Sequence, residues 1–300
     1  MTGSCTSSGP DVVTAPKAGL LATAARPLRR RYGRPPRRPP TEPPAGARDV
    51  MLVGARGETI RGWLLADSSR PSGAPGPAAL VMHGWGASAA DMLPVAQTLL
   101  DSGLRVLLLD AGGHGRSDDV EFSSMPAFAD DVQVGLDWLR GQSEVDPTRV
   151  VLVGHSVGAG ACLLVASRDS AVAAVICLAS MAHPRDFMSK ALRAHLPAPL
   201  VSTALRFVER AIGHRFDSFA PINTIGRIRV PVLLLHGARD HTIPVADAHA
   251  LHRNAPPGSS LLVIDDADHT TVEALDQVLP ALRKFLREAA GATGGTYAPT

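Results

Sequence analysis

The chain has 300 residues, of which 45% are hydrophobic, and its formal net charge is +2. This length and apolar content suffice for one large α/β domain with a sizeable core. The charge is uneven: residues 1–50 carry a net charge of +6, so the rest of the chain sums to −4. A mildly acidic body gives no reason to expect a nucleic-acid partner. Because no apolar run reaches about 18 residues, we also expect no integral membrane segment.

Residues 1–48 are predicted to form a disordered N-terminal tail. They hold nine prolines and an Arg/Pro-rich tract over residues 26–40. Proline removes backbone donors, like charges repel, and little apolar area offsets the entropy of ordering. The alternatives are a tether to an anionic surface and a secretory signal, but the apolar stretch at residues 18–25 is short for a signal. We therefore expect a cytoplasmic protein, with a second flexible tail at residues 291–300.

Strand and helix patterns alternate through residues 49–290, the predicted folded domain. Apolar runs predict eight strands, at residues 49–53, 59–65, 78–82, 105–110, 150–154, 173–178, 230–236 and 260–264. Helical patterns lie at residues 89–102, 126–141, 157–168, 246–254 and 271–288. Solid apolar runs are typical of strands buried on both faces of a parallel sheet. This order predicts a doubly wound, mostly parallel α/β sheet whose first two strands form an antiparallel edge pair.

A longer insertion occupies residues 181–226, between the sixth and seventh strands. It contains two amphipathic helix patterns, at residues 187–196 and 202–213. Their apolar positions include Phe187, Met188, Leu192, Phe207 and Ile212. The helices could simply pack on the sheet, or form a short cap over a pocket, and both can be true. As a cap, they would supply an apolar site for an acyl group.

The most informative motif is Gly154-His155-Ser156-Val157-Gly158, which follows an apolar strand and opens a run of small residues. A sharp strand-to-helix turn strains the serine backbone and lifts its hydroxyl clear of the sheet. Glycines on either side avoid crowding the neighbouring strand and helix. Ser156 is therefore the predicted nucleophile.

A serine nucleophile needs a base that is oriented by a third group. His269 lies in the loop after the last strand, and Asp240 lies in the loop after the seventh. Both loops leave the carboxyl ends of strands, where functional groups of parallel sheets gather. The nearby carboxylates Asp265, Asp266 and Asp268 are alternatives, although the acid must reach the far ring nitrogen of the histidine from another loop.

The developing oxyanion needs two hydrogen-bond donors. The loop His83-Gly84-Trp85-Gly86 follows the third strand, and its glycines allow a close approach to Ser156. The backbone N–H groups of Trp85 and Val157 are the predicted donors, and Val157 gains from the dipole of the helix that it opens. The three cysteines, Cys5, Cys162 and Cys177, do not form a disulfide pattern, and no metal-ligand spacing occurs, so no cofactor or metal is expected.

These motifs, together with Asp268-His269 and the turn at residues 110–117, resemble those of the α/β-hydrolase superfamily over residues 49–288. The resemblance implies an eight-stranded α/β-hydrolase sheet and a cofactor-independent serine hydrolase that uses Ser156, Asp240 and His269. A small carboxylic ester is the expected substrate. The same residues could serve an acyltransferase, a thioesterase or a small peptidase, although no β-propeller precedes the domain. A non-enzymatic ligand-binding receptor on this fold also stays open, as does the oligomeric state.

Overall fold

The computed structural model describes residue 33 and residues 35–36, 39–66 and 75–291. Most of the predicted N-terminal tail and residues 292–300 therefore lie outside the described residues. Of the tail, Gly33 accepts a 2.8 Å hydrogen bond from the Ser123 N–H, and Pro36 lies beside Gly86. None of the helices within the described ranges is both long and apolar enough to cross a membrane.

A single mixed sheet of eight strands forms the centre of the domain, as predicted. The strands are β1 (Arg48–Val53), β2 (Thr59–Leu65), β3 (Gly76–Met82), β4 (Arg105–Asp110), β5 (Val145–His155), β6 (Ala174–Leu178), β7 (Val232–Gly237) and β8 (Ser260–Ile264). Their spatial order is β1-β2-β4-β3-β5-β6-β7-β8. Strand β2 runs antiparallel to both β1 and β4, and every other pairing is parallel. The prediction of a mostly parallel sheet with an antiparallel edge pair is confirmed.

Helices cover both faces of this sheet. They are α1 (Leu93–Asp101), α2 (Met125–Arg140), α3 (Val157–Ala166), α4 (Pro184–Arg193), α5 (Ala198–Ile212), α6 (Val245–Asn254) and α7 (Leu279–Ala290). Side chains alternate along each strand, so Leu80 and Met82 enter one apolar cluster while Ala79 and Val81 enter the other. The sheet is thus buried on both faces, which explains the solid apolar runs.

Four predicted helices start more than one residue from the predicted position, and each has a proline in its first turn. The predicted helix at residues 89–102 is a 3₁₀ segment, Ala89–Met92, followed by α1, with Pro94 in its first turn. Helices α4 and α5 begin three and four residues earlier than predicted, with Pro184 and Pro199 in their first turns. Proline is tolerated there because the first N–H groups of a helix have no intrahelical partner. The predicted helix at residues 271–288 is instead a 3₁₀ segment, Thr271–Val278, followed by α7, which has Pro280 in its first turn.

Candidate active site

The turn between β5 and α3 holds Ser156 in a strained backbone conformation. Its φ is +54° and its ψ is −117°, which L-residues rarely adopt. The Ser156 N–H donates a 2.8 Å hydrogen bond to the carbonyl of Leu178 on β6, which fixes the turn to the sheet. A Cβ atom at Gly154 would overlap the backbone of Gly158, and one at Gly158 would overlap the carbonyl oxygens of His83 and Met82. Only glycine fits at these two positions.

A chain of hydrogen bonds connects Ser156, His269 and Asp240. The distance from His269 Nε2 to Ser156 Oγ is 3.1 Å, and the distance from His269 Nδ1 to Asp240 Oδ2 is 2.7 Å. The Asp240 carboxylate can only accept a hydrogen bond, so the neutral His269 ring carries its proton on Nδ1. The Nε2 atom is then free to accept a hydrogen bond from the Ser156 hydroxyl. This arrangement can deprotonate Ser156 during nucleophilic attack.

The Asp240 side chain is fully buried and fully partnered. Its other carboxylate oxygen, Oδ1, accepts 2.8 Å hydrogen bonds from the N–H groups of Thr242 and Ile243. Burial alone would raise the pKa of this carboxyl, but hydrogen bonds from His236, His269 and the Ile243 N–H outweigh it. The pKa of Asp240 is therefore held well below its usual value, so the carboxylate is ionised at neutral pH.

Two of the alternative acids have other partners. The Asp268 carboxylate accepts a hydrogen bond of 2.7 Å from the Thr270 N–H, and Asp266 forms an exposed ion pair with Arg239. Of these carboxylates, it is Asp240 that the structure brings into contact with the His269 ring.

The loop after β3 passes close to the elbow. A Cβ atom at Gly84 would lie 3.3 Å from Ser156 Cβ, so the absence of a side chain permits this approach. Trp85 and Val157 line the same cavity as Ser156. Val157 is the first residue of α3, so its N–H has no intrahelical carbonyl with which to bond. These positions are compatible with an oxyanion site, and the assignment of the two donors stays a prediction.

Sequence reasoning missed His155, a partly buried histidine within the elbow motif itself. Its Nε2–H donates a 2.8 Å hydrogen bond to the backbone carbonyl of His269. Its Nδ1 faces Gly84, where an added Cβ would lie 2.8 Å away. Burial lowers the pKa of His155 to about 4, so the ring is neutral. One side chain thus contacts the elbow, the histidine loop and the loop after β3.

Two further histidines support neighbouring loops. His83 Nε2 accepts a 3.0 Å hydrogen bond from the Ala111 N–H, so its Nδ1–H donates to the Gly84 carbonyl at 2.7 Å. Burial lowers the pKa of His83 to about 4. His236 Nε2–H donates to the Ile243 carbonyl at 2.9 Å, within the loop that carries Asp240. The sequence does contain a signal for these two histidines, because each is followed by glycine at the end of an apolar strand.

A cavity of about 230 Å³ opens onto Ser156. Helices α4 and α5 pack against each other, and their side chains form one wall of it. Phe187, Met188, Phe207 and Ile212 all line this wall, whereas Leu192 is buried in the core beneath. The insertion therefore covers the pocket as well as packing on the sheet.

The two described cysteines do not have activated thiols. Cys162 and Cys177 are buried, and burial raises the pKa of both thiols above the usual value. Within the ranges that the structure describes, no three His, Cys, Asp or Glu side chains gather to form a metal site.

Comparisons with known proteins identify relatives that span most of this chain. Residues 73–215 match the family described as Serine aminopeptidase, S33. The chain is 30% identical over 250 residues to the uncharacterized protein Rv2307c of Mycobacterium tuberculosis, which covers 82% of this chain and 81% of the relative. It is 27% identical over 230 residues to YfhR of Escherichia coli, covering 75% and 74% of the two chains. The solved structure of the Pyrococcus furiosus esterase Pf2001 superposes with a TM-score of 0.68 and 21% identity, covering 86% of this chain and all of the esterase.

Proposed function

The chain belongs to the α/β-hydrolase superfamily, and from this membership we propose that it is a serine hydrolase that cleaves a carboxylic ester. One observation carries the proposal: the 3.1 Å and 2.7 Å contacts that join Ser156, His269 and Asp240 at a strained strand-to-helix turn. This geometry joins a serine hydroxyl to a general base and places an ionised carboxylate behind that base. The likeness to an esterase supports the fold alone.

The reaction proceeds in two halves. As Ser156 Oγ attacks the ester carbonyl carbon, His269 Nε2 takes the hydroxyl proton, and the carbonyl oxygen becomes an oxyanion. The N–H groups of Trp85 and Val157 stabilise that oxyanion. When the C–O bond to the alcohol breaks, His269 returns the proton to the departing oxygen and an acyl-enzyme remains. Water then attacks the acyl-enzyme, His269 takes its proton, and the acid is released as Ser156 recovers the proton.

A fluorophosphonate probe tests this proposal directly. It reacts with activated serines, so peptide mass spectrometry of the treated protein should locate the adduct at Ser156. The Ser156→Ala variant should neither label nor hydrolyse p-nitrophenyl butyrate. An exposed serine distant in sequence from the motif, Ser143, provides the matched control, and Ser143→Ala should behave as the wild type.

Failure to label in protein that unfolds cooperatively would overturn the proposal in favour of a ligand-binding receptor. Such a receptor gains nothing from a buried carboxylate that orients a histidine against a serine. Acyl transfer uses the same acyl-enzyme and differs only in the acceptor. Adding methanol during turnover distinguishes the two, because a transferase forms the methyl ester in preference to the acid.

A further inference from the structure

The cavity above Ser156 has a predominantly apolar lining. Phe and Met side chains and smaller apolar residues form most of it. Among the described residues that line it, none carries a formal charge. A charged acyl group bound here would lose its hydration without gaining an ion partner, which is strongly unfavourable.

The lining contains two serines besides Ser156, and each is hydrogen-bonded to a backbone group. The Ser124 Oγ caps α2 and accepts a hydrogen bond from the Ala127 N–H, and the Ser123 N–H donates to the Gly33 carbonyl. Apart from the serines and the Trp85 indole, the side chains of the lining are apolar. The chemistry of the lining therefore favours hydrocarbon.

The residue types of the lining and its volume bear on which acyl groups fit. Met125, Met181 and Met188 line the cavity, and unbranched thioether side chains adapt to irregular apolar groups. A volume of about 230 Å³ exceeds what an acetyl group needs. The acyl chain that this cavity accommodates is therefore longer than acetyl.

We infer that this cavity binds the acyl group of the ester, and that this group is an uncharged hydrocarbon chain longer than acetyl. The inference rests on the proposed function, because the acyl carbon must reach Ser156. It separates this chain from hydrolases of aminoacyl substrates, whose α-ammonium needs a carboxylate close to the nucleophile.

The first test is a series of p-nitrophenyl esters from acetate through butyrate, hexanoate and octanoate to laurate. The value of kcat/KM should rise about fourfold for each methylene that becomes buried. The rise should continue along the series and end once the chain is longer than the cavity can bury. A flat or falling profile from acetate to octanoate, with Ser156 still labelled by the probe, overturns the inference and leaves the proposed function standing.

The second test places the chain within the cavity. Ala191 on α4 lines the cavity, and Ala191→Phe fills part of it. This variant should lower the octanoate-to-butyrate ratio of kcat/KM by at least about tenfold, because about two methylenes lose their burial. Ala194, the exposed residue that follows α4, is the matched control, and Ala194→Phe should leave the ratio unchanged. Equal ratios in both variants would place the acyl group elsewhere.

The third test addresses charge. The p-nitrophenyl esters of leucine and of isocaproic acid differ only in the α-ammonium group. After correction for spontaneous hydrolysis, the leucine ester should show a kcat/KM at least about a hundredfold lower, because its ammonium is buried without a partner. Comparable values for the two esters overturn the inference. If no ester is cleaved and Ser156 does not label, the proposed function fails and the inference fails with it.

Discussion

Replacing Asp240 with asparagine changes one atom of the candidate site and reverses its hydrogen-bond polarity. The carboxylate oxygen Oδ1 accepts from the N–H groups of Thr242 and Ile243, so the amide oxygen of asparagine must occupy that place. The amide NH₂ group then takes the place of Oδ2, which lies 2.7 Å from His269 Nδ1. Two donors would face each other there.

The imidazole resolves this conflict by moving its proton from Nδ1 to Nε2. In that tautomer the Nε2–H points at Ser156 Oγ and cannot accept the hydroxyl proton. Loss of the productive tautomer in a serine–histidine–aspartate site lowers kcat by about ten-thousandfold, which corresponds to about 5 kcal/mol of transition-state stabilisation. We expect a loss between about a thousandfold and ten-thousandfold for Asp240→Asn, because the fixed Oδ1 partners prevent the amide from rotating.

The assay is hydrolysis of p-nitrophenyl butyrate under saturating conditions, with thermal unfolding measured in parallel. Asp268→Asn is the matched control, because Asp268 directly precedes His269 yet is exposed and bonded to Thr270. It should retain at least about a third of the wild-type kcat, as exposed polar substitutions usually have small effects. The reasoning is refuted if Asp240→Asn stays within about tenfold of the wild type while it is folded, or if both variants lose activity equally.

Two stability predictions follow from the packing around the site. Gly158→Ala places a Cβ atom against the His83 carbonyl oxygen and should lower the free energy of unfolding, measured by urea titration, by about 3 kcal/mol. Gly226→Ala is the control, because the nearest atom to its Cβ would be 3.5 Å away, and it should change that free energy by no more than about 0.5 kcal/mol. Equal effects would refute the close packing at the elbow. Burial raises the pKa of Asp131 to about 7, so the folded protein keeps a proton that the unfolded chain releases above about pH 4. Asp131 therefore lowers the free energy of unfolding of the wild type by up to about 4 kcal/mol as the pH rises from 4 to 8. The Asp131→Asn variant should not show this loss. If the free energies of unfolding of the two proteins changed in parallel with pH, this prediction would be wrong.

The sheet could be predicted because burial on both faces leaves a direct mark on the sequence. Runs such as Arg105–Asp110 and Val232–Gly237 have few other structural interpretations, and both are strands. The two helices of the insertion were harder, because their first turns contain prolines that resemble helix breakers. Proline is compatible with a first turn, so composition alone could not place the start of α4 or α5.

The elbow was predictable for a related reason. Each of its two glycines lies two residues from the serine, and a side chain at either glycine would overlap neighbouring backbone atoms. The choice of Asp240 over the nearer carboxylates depended on knowing that strand ends meet at one edge of the sheet. The volume of the pocket could not be predicted, because it depends on how far α4 and α5 stand above Ser156.

The supporting histidines illustrate what a single sequence does not show. His83, His155 and His236 lie at the carboxyl ends of β3, β5 and β7, and each contacts a backbone carbonyl of a loop around Ser156. A histidine at a strand end reads equally well as a catalytic base, a ligand or a buried structural group. His236 also approaches the Asp240 carboxylate, at 3.4 Å. What separates His269 from these three is that one of its ring nitrogens meets a serine hydroxyl while the other meets that carboxylate. Only the folded chain supplies that distinction, and it supports His269 over the three strand-end histidines as the candidate base.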